Sequence, residues 1–79
     1  MAQQIKPVHL NLIRLRYMLD MTQEEFAFKL NVGKSLLGAI ECGRSQPRIE
    51  LIAKSLELAS IPKEHLHDFV FDYNYVLPK

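Results

Sequence analysis

The chain has 79 residues, 48% of them hydrophobic and 24% charged, which is enough for one small domain with a packed core. Its apolar runs are all shorter than the roughly 18 residues that a membrane span needs, so we expect no membrane partner. The segment Met1–Lys6 lacks the apolar run of a signal peptide. Because Cys42 has no second cysteine for an internal disulfide, we expect a cytoplasmic protein.

The net charge of +1 is unevenly distributed along the chain. Residues 1–48 contain seven Lys and Arg against four Asp and Glu, whereas residues 49–79 contain three against five. A basic front and a mildly acidic back suit a protein that turns one face toward phosphate. They also suit an ordinary solvated surface, and charge alone leaves both interpretations open.

Apolar spacing and end signals predict the first two helices. The first helix covers about residues 8–19, with Val8, Leu12, Leu15 and Leu19 at helical spacing. The second begins at Thr22, which forms a capping box with Glu25 three residues later, so that each side chain accepts a hydrogen bond from a free backbone N–H. Asn31 ends this helix, because Asn tolerates the left-handed backbone of a helix stop. The residues expected in the core here are Met18, Met21, Phe26, Ala27 and Leu30.

Three further helices complete an all-α fold. The third covers about residues 34–42, follows a turn with Val32 as its apolar plug, and ends at Gly43. The fourth covers about residues 49–58, and its expected inward residues are Ile49, Ile52, Ala53 and Leu56. The fifth starts near Pro62 and continues to about Asp72, after which we expect an extended tail.

Two short helices joined by a three-residue turn, over residues 22–42, are typical of a helix-turn-helix. The second helix of such a unit must be exposed on one side to enter a major groove. Over about residues 13–66 the chain resembles the helix-turn-helix of phage Cro and repressor proteins, the xenobiotic-response-element family. The residues that carry the resemblance are Thr22, Gln23, Glu24, Glu25, Phe26, Ala27, Leu30, Val32, Leu37, Ile40, Glu41, Gly43 and Pro47.

The resemblance implies a single five-helix, lambda-repressor-like domain over residues 1–79, with double-stranded DNA as its partner. In the family, the Gln that opens the second helix binds a DNA phosphate together with backbone N–H groups, and Gln23 occupies that position. A helix N-terminus attracts phosphate on physical grounds as well. The alternative is that Gln23 is only a solvent-exposed residue of the first turn.

The third helix reads base edges in the family, and its outward positions match Lys34, Ser35, Leu36, Gly38 and Ala39. Lys34 and Ser35 suit base or phosphate contacts, and the two apolar side chains suit a thymine methyl group. The chain departs from the family here, since relatives commonly carry several Gln, Arg, Asn or Thr on this helix. One interpretation is close approach to the groove with readout of DNA shape. The other is weak base reading, or a surface for something other than DNA.

Five further positions also match the family. Arg44 and Ser45 follow the third helix, where relatives contact the DNA backbone, and Arg48 follows Pro47, where some relatives approach the minor groove. The alternative is that both arginines are ordinary loop cations. Arg16 and Glu41 match a family ion pair that fixes the angle between the first and third helices. We interpret them as structural first, with a phosphate contact by Arg16 as an open second role.

Other chemistries find little support in the sequence. His65 and His67 are two residues apart, so on a helix they point to different faces and make a poor metal pair. Cys42 lacks any local partner that would make it a nucleophile. We find no paired catalytic carboxylates and no phosphate-binding glycine loop. We therefore expect no enzyme activity, no metal and no cofactor.

The C-terminal residues 62–79 are the expected dimerisation segment. Large apolar side chains exceed what one small helix can bury, and exposed apolar patches usually mark contacts. The expected interface residues are Phe69, Phe71, Tyr73, Tyr75, Val76 and Leu77. A two-fold dimer would read two half-sites about one helical turn apart.

The leading hypothesis is a homodimeric transcription regulator on an inverted repeat, acting as a small autoregulatory repressor or a restriction–modification controller. Phage repressors and plasmid regulators share that layout, and the sequence does not choose among them. The alternative is an antitoxin or protein-interaction module whose aromatic tail binds a partner protein, with DNA binding secondary.

Overall fold

Five helices follow one another along the chain in the computed structural model, which describes residues 5–78. Helix α1 covers Pro7–Met18, α2 covers Gln23–Leu30, α3 covers Lys34–Glu41 and α4 covers Ile49–Leu58. A single 3-10 turn, Lys63–His65, leads into the short helix α5, Leu66–Phe71. No strand occurs within residues 5–78, which confirms the all-α prediction. No helix in this range is long and apolar enough to cross a membrane.

Polar residues in the left-handed conformation separate most of the helices. Asp20, Asn31 and Ser60 have φ of 57°, 59° and 56°, and each lies just beyond the end of a helix. Gly43, with φ of 82°, is also left-handed and lies just beyond the end of α3. A left-handed residue turns the chain sharply and returns backbone N–H groups to the last helical carbonyls, as the bond from Val32 N to Ala27 O shows. These stops keep α2 and α3 short and set them at an angle.

The core forms where α1 crosses α3 and α5, with α2 and α4 closing its sides. Phe26 and Phe69 are its largest fully buried side chains, and Leu12, Leu15 and Leu37 are equally enclosed. Because α1 and α5 lie on one side of this core, α2 and α3 are left with one face in solvent. The fold thus presents the helix-turn-helix at the surface.

The inward face of α4 differs from the expected one. Ile49 is 56% exposed and Ala53 is also exposed, whereas Leu51 and Ser55 are buried beside the expected residue Ile52. Ser55 tolerates burial because its hydroxyl donates to the Leu51 carbonyl at 2.7 Å. Ile52 and Leu56 are buried as expected, and the buried stripe extends to Leu51 and Ser55 in place of Ile49 and Ala53.

Met18 and Met21 were both expected in the core, and only Met21 contacts it. Met21 is half-buried against the core, but Met18 lies on the surface at the end of α1. The helix turns Met18 away because the buried face of α1 is set by Val8, Leu12 and Leu15. The prediction for Met18 was therefore wrong.

Two polar side chains of α1 are fully buried. Asn11 donates through Nδ2 to the Phe69 carbonyl at 2.8 Å, which ties α1 to α5. His9 accepts a hydrogen bond at Nδ1 from the Lys6 backbone N–H, while its Nε2 has no hydrogen-bond partner among the described residues. Burial lowers the pKa of His9, and the charge of Lys6 adds to this, although the nearby backbone of Ser45 acts in the opposite direction. The folded protein therefore favours the neutral ring.

The tail after α5 makes a turn and then runs along the domain. Asp72 accepts a hydrogen bond from the Asn74 backbone N–H, which forms the turn. The hydroxyl of Tyr73 donates to the Ile5 carbonyl at 2.7 Å, and the hydroxyl of Tyr75 lies 2.8 Å from His65 Nδ1. The two ends of the described chain therefore meet on the side of the domain that carries α5.

Candidate DNA interface

The first turn of α2 has backbone N–H groups without partners inside the helix, as in an anion-binding helix N-terminus. Thr22 Oγ1 accepts from the Glu25 N–H at 3.1 Å, and Glu25 Oε1 accepts from the Thr22 N–H at 2.9 Å. These bonds complete the capping box and lower the pKa of Glu25, chiefly through the backbone N–H of Thr22. The N–H groups of Gln23 and Glu24 have no partner inside the helix. They remain available at the positive end of the helix dipole.

The outward face of α3 is small and open. Lys34 and Ser35 are exposed, Leu36 is 44% exposed, and Gly38 and Ala39 are half-buried. A Cβ built on Gly38 would meet no atom within 4 Å, so nothing inside the domain requires glycine at this position. The missing side chain instead leaves a clear surface in the middle of the helix.

One flank of α3 borders a groove that reaches α4. The groove has a volume of about 570 Å³, and Leu36, Ser45 and Arg48 line it with residues of α4. Leu36 therefore contacts the groove as well as the outward face of α3. This arrangement places Arg48, the N-cap residue of α4, beside α3.

The loop after α3 is fixed by hydrogen bonds and presents its cations outward. The N–H groups of Arg44 and Ser45 both donate to the Ala39 carbonyl, at 2.9 and 3.2 Å. The ion pairs found within residues 5–78 involve only Arg16 and His67 as the basic partners. Arg44 and Arg48 are both exposed and form no ion pair with another residue of the described range.

Arg16, Glu41 and Gln23 form a cluster that joins α1, α2 and α3. Arg16 donates from Nε to Glu41 Oε2 at 2.8 Å and from Nη2 to Oε1 at 3.1 Å, and the two side chains are only 11% and 6% exposed. A third donation, from Arg16 Nη1 to the Met21 carbonyl, holds the loop before α2. The bonds with Glu41 raise the pKa of Arg16. Sequence reasoning missed that Gln23 Nε2 also donates to Glu41 Oε1, at 2.9 Å.

The C-terminal residues divide into a buried and an exposed set. Phe69 is fully buried, so its expected place in a dimer interface was wrong; it packs in the core of its own domain. Tyr75 and Leu77 are half-buried against the same core. The three exposed members are Phe71, Tyr73 and Val76, at 66%, 56% and 81%.

Comparisons with known proteins agree with this architecture. A helix-turn-helix family model matches residues 12–59, which is more than half of the chain. Among solved structures, the restriction-modification controller protein C.AhdI from Aeromonas hydrophila is similar, with a TM-score of 0.65 and 25% sequence identity over 76% of this chain and 91% of that one. No curated protein sequence matches. The chain belongs to the Cro/repressor-like helix-turn-helix family and is a DNA-binding transcriptional regulator.

Proposed function

We propose that the chain is a sequence-specific regulator that binds an inverted repeat in double-stranded DNA as a homodimer. The observation that carries the proposal is an α3 whose outward residues Lys34 and Ser35 are free, next to uncapped N–H groups at the start of α2. A major groove admits one helix, and phosphates on either side position it. The similarity to a restriction-modification controller protein supports a regulatory role. In our proposal the chain regulates its own gene, with the operator upstream of it.

Each DNA contact has a distinct role in this proposal. Gln23 and the α2 N-terminus bind one phosphate, and Arg44 with Ser45 binds the DNA backbone beside the end of α3. Lys34 and Ser35 contact base edges, while Gly38 and Ala39 allow close approach. Arg48 reads groove shape from the flank.

The homodimer rests on the exposed apolar residues of the C-terminal segment. Phe71, Tyr73 and Val76 stand in solvent although the core is complete without them. A single helix of eight residues reads few base pairs, so two copies related by a two-fold axis are needed for a specific site.

Footprinting on DNA upstream of the protein's own gene tests the proposal. We expect protection of two half-sites about 10 base pairs apart, with affinity at least about 1,000-fold above that for unrelated DNA. Equal affinity for all sequences would contradict sequence-specific regulation.

A second candidate function follows from the same exposed residues, namely an antitoxin-like module that binds a partner protein through its tail. Light scattering on the purified chain separates the two. A dimer that becomes monomeric in Phe71→Ala supports the homodimer, whereas a wild-type monomer that forms a stoichiometric complex with another protein favours the module.

A further inference from the structure

The carboxylate of Glu41 links the reading helix to the residue that opens α2. Its Oε1 accepts from both Arg16 Nη2 and Gln23 Nε2, at 3.1 and 2.9 Å, and its Oε2 accepts from Arg16 Nε. Glu41 is the last residue of α3 and Gln23 is the first residue of α2. The contact therefore joins two elements of the interface directly.

A carboxylate beside a glutamine side chain favours one of the two orientations of the glutamine's amide group. An ionised carboxylate only accepts hydrogen bonds, so the Gln23 amide must turn its NH2 group, and not its carbonyl, toward Glu41. The NH2 group has two hydrogens, and one remains for a second acceptor. Phosphate oxygens also only accept, so an amide with its carbonyl toward DNA would repel the backbone. With its NH2 group held by Glu41, Gln23 keeps one N–H to donate to a phosphate oxygen.

Arg16 makes this arrangement compatible with a nearby polyanion. A lone carboxylate close to phosphate would weaken binding by repulsion. The bidentate pair with Arg16 makes the cluster neutral overall, and its near-complete burial keeps the partners together.

We propose that Glu41 is a positioning residue for the phosphate contact of Gln23, in addition to its packing role with Arg16. The proposal rests on the proposed function, because Gln23 must contact phosphate for its orientation to matter. A role limited to packing would leave the Gln23 contact independent of Glu41. The two roles therefore differ in whether substitutions at the two residues act separately or together.

A double-mutant cycle on DNA affinity tests the proposal. One arm is Gln23→Ala, and the other replaces the ion pair as a unit, Arg16→Met with Glu41→Met, because exchanging a buried pair for apolar side chains of similar volume often preserves the fold. Affinity is measured for the footprinted operator and for a random duplex of the same length, about 30 base pairs to cover two half-sites. Glu57→Gln, at an exposed carboxylate of α4, is the matched control and is expected to change nothing.

Gln23→Ala is expected to lower affinity for both duplexes about ten-fold, the value of one hydrogen bond to a charged group. The paired Met variant is expected to lower it by the same factor, and combining the two to lower it no further. The salt dependence should stay constant, since the paired exchange conserves net charge. Losses that multiply in the combined variant, or no loss in Gln23→Ala, would overturn the proposal.

Glu41→Asp provides a second arm in case the paired variant does not fold. The shorter side chain keeps a charge for Arg16 but withdraws from Gln23, so we expect the same loss of affinity and the same absence of further loss with Gln23→Ala. Full affinity in a folded Glu41→Asp protein would contradict positioning. A wild-type protein that binds both duplexes equally would instead remove sequence specificity, while the cycle on the random duplex would still decide the role of Glu41.

Discussion

The helix-turn-helix and the C-terminal segment are stabilised in different ways. In residues 22–42, short-range signals fix the backbone: a capping box starts α2 and a left-handed Asn31 ends it. In residues 62–78, contacts between residues far apart in the sequence fix the backbone. Examples are the hydrogen bonds from Asn11 to the Phe69 carbonyl and from Tyr73 to the Ile5 carbonyl. The first region therefore keeps its shape while leaving polar groups free for DNA. The second region buries some of its aromatic residues in the core and leaves others exposed on the surface.

Separate alanine substitutions at Phe69 and Phe71 distinguish the buried part of the C-terminal segment from its exposed part. Phe69→Ala should destabilise the domain by about 3–5 kcal/mol, because it leaves a cavity where a fully enclosed ring packs. Phe71→Ala should change monomer stability little and weaken self-association, since that ring is 66% exposed. Denaturant unfolding measures the first effect and light scattering the second. Equal stability losses in both variants would mean that the segment has no separate exposed face.

This division explains which parts of the tail the sequence could predict. The helical spacing of Leu66, Phe69 and Val70 identifies α5, and Pro62 marks the start of the turn that leads into it. Spacing does not say which of Phe69 and Phe71 faces the core, because that depends on the angle at which α5 meets α1. Both were therefore assigned to an interface, and only the fold separates them.

The helix-turn-helix was more predictable because its signals are local. Thr22, Asn31 and Gly43 specify where helices begin and end within a few residues of themselves. The Gln23–Glu41 contact was not predictable in this way, since it joins residues 18 positions apart through the crossing of α2 and α3. Ser55 was missed on α4 for a related reason, as a hydroxyl that bonds to its own helix can be buried like an apolar side chain.

Lys34→Ala tests whether the exposed start of α3 reads bases. If Lys34 contacts a base edge, the variant should lose about 1–3 kcal/mol of discrimination between operator sequences. If it contacts only phosphate, affinity should fall evenly and the salt slope should shrink by about one unit. Binding to a set of single-base operator variants at two salt concentrations distinguishes these results. Lys63→Ala, which removes an exposed lysine of the 3-10 turn before α5, is the control, and an equal effect there would remove Lys34 from the interface.

The buried ring of His9 predicts that the domain loses stability in mild acid. Its pKa is lowered by burial, so the unfolded chain takes up a proton near pH 6.5 that the folded chain resists. The contribution of His9 is therefore complete above pH 6.5 and is lost as the pH falls toward the lowered value, at up to about 1.4 kcal/mol per pH unit.

Denaturant unfolding between pH 7.5 and 5, in wild type and in His9→Gln, isolates that contribution. The wild type should lose stability faster than the variant below pH 6.5. Parallel curves would show that the ring titrates as freely in the folded protein as in the unfolded chain.

Gly38→Ala has the smallest expected effect on stability, and it tests whether DNA approaches the open surface of α3 closely. Alanine should raise stability by about 1 kcal/mol, because glycine is unfavourable inside a helix and the added Cβ meets nothing within the domain. If α3 approaches the groove closely at this point, the same methyl group should lower DNA affinity. Thermal unfolding and operator binding would then change in opposite directions. A variant that is more stable and binds DNA unchanged would show that the groove does not approach Gly38, so that specificity must come from the Lys34 end of α3 and from Arg48 beside it.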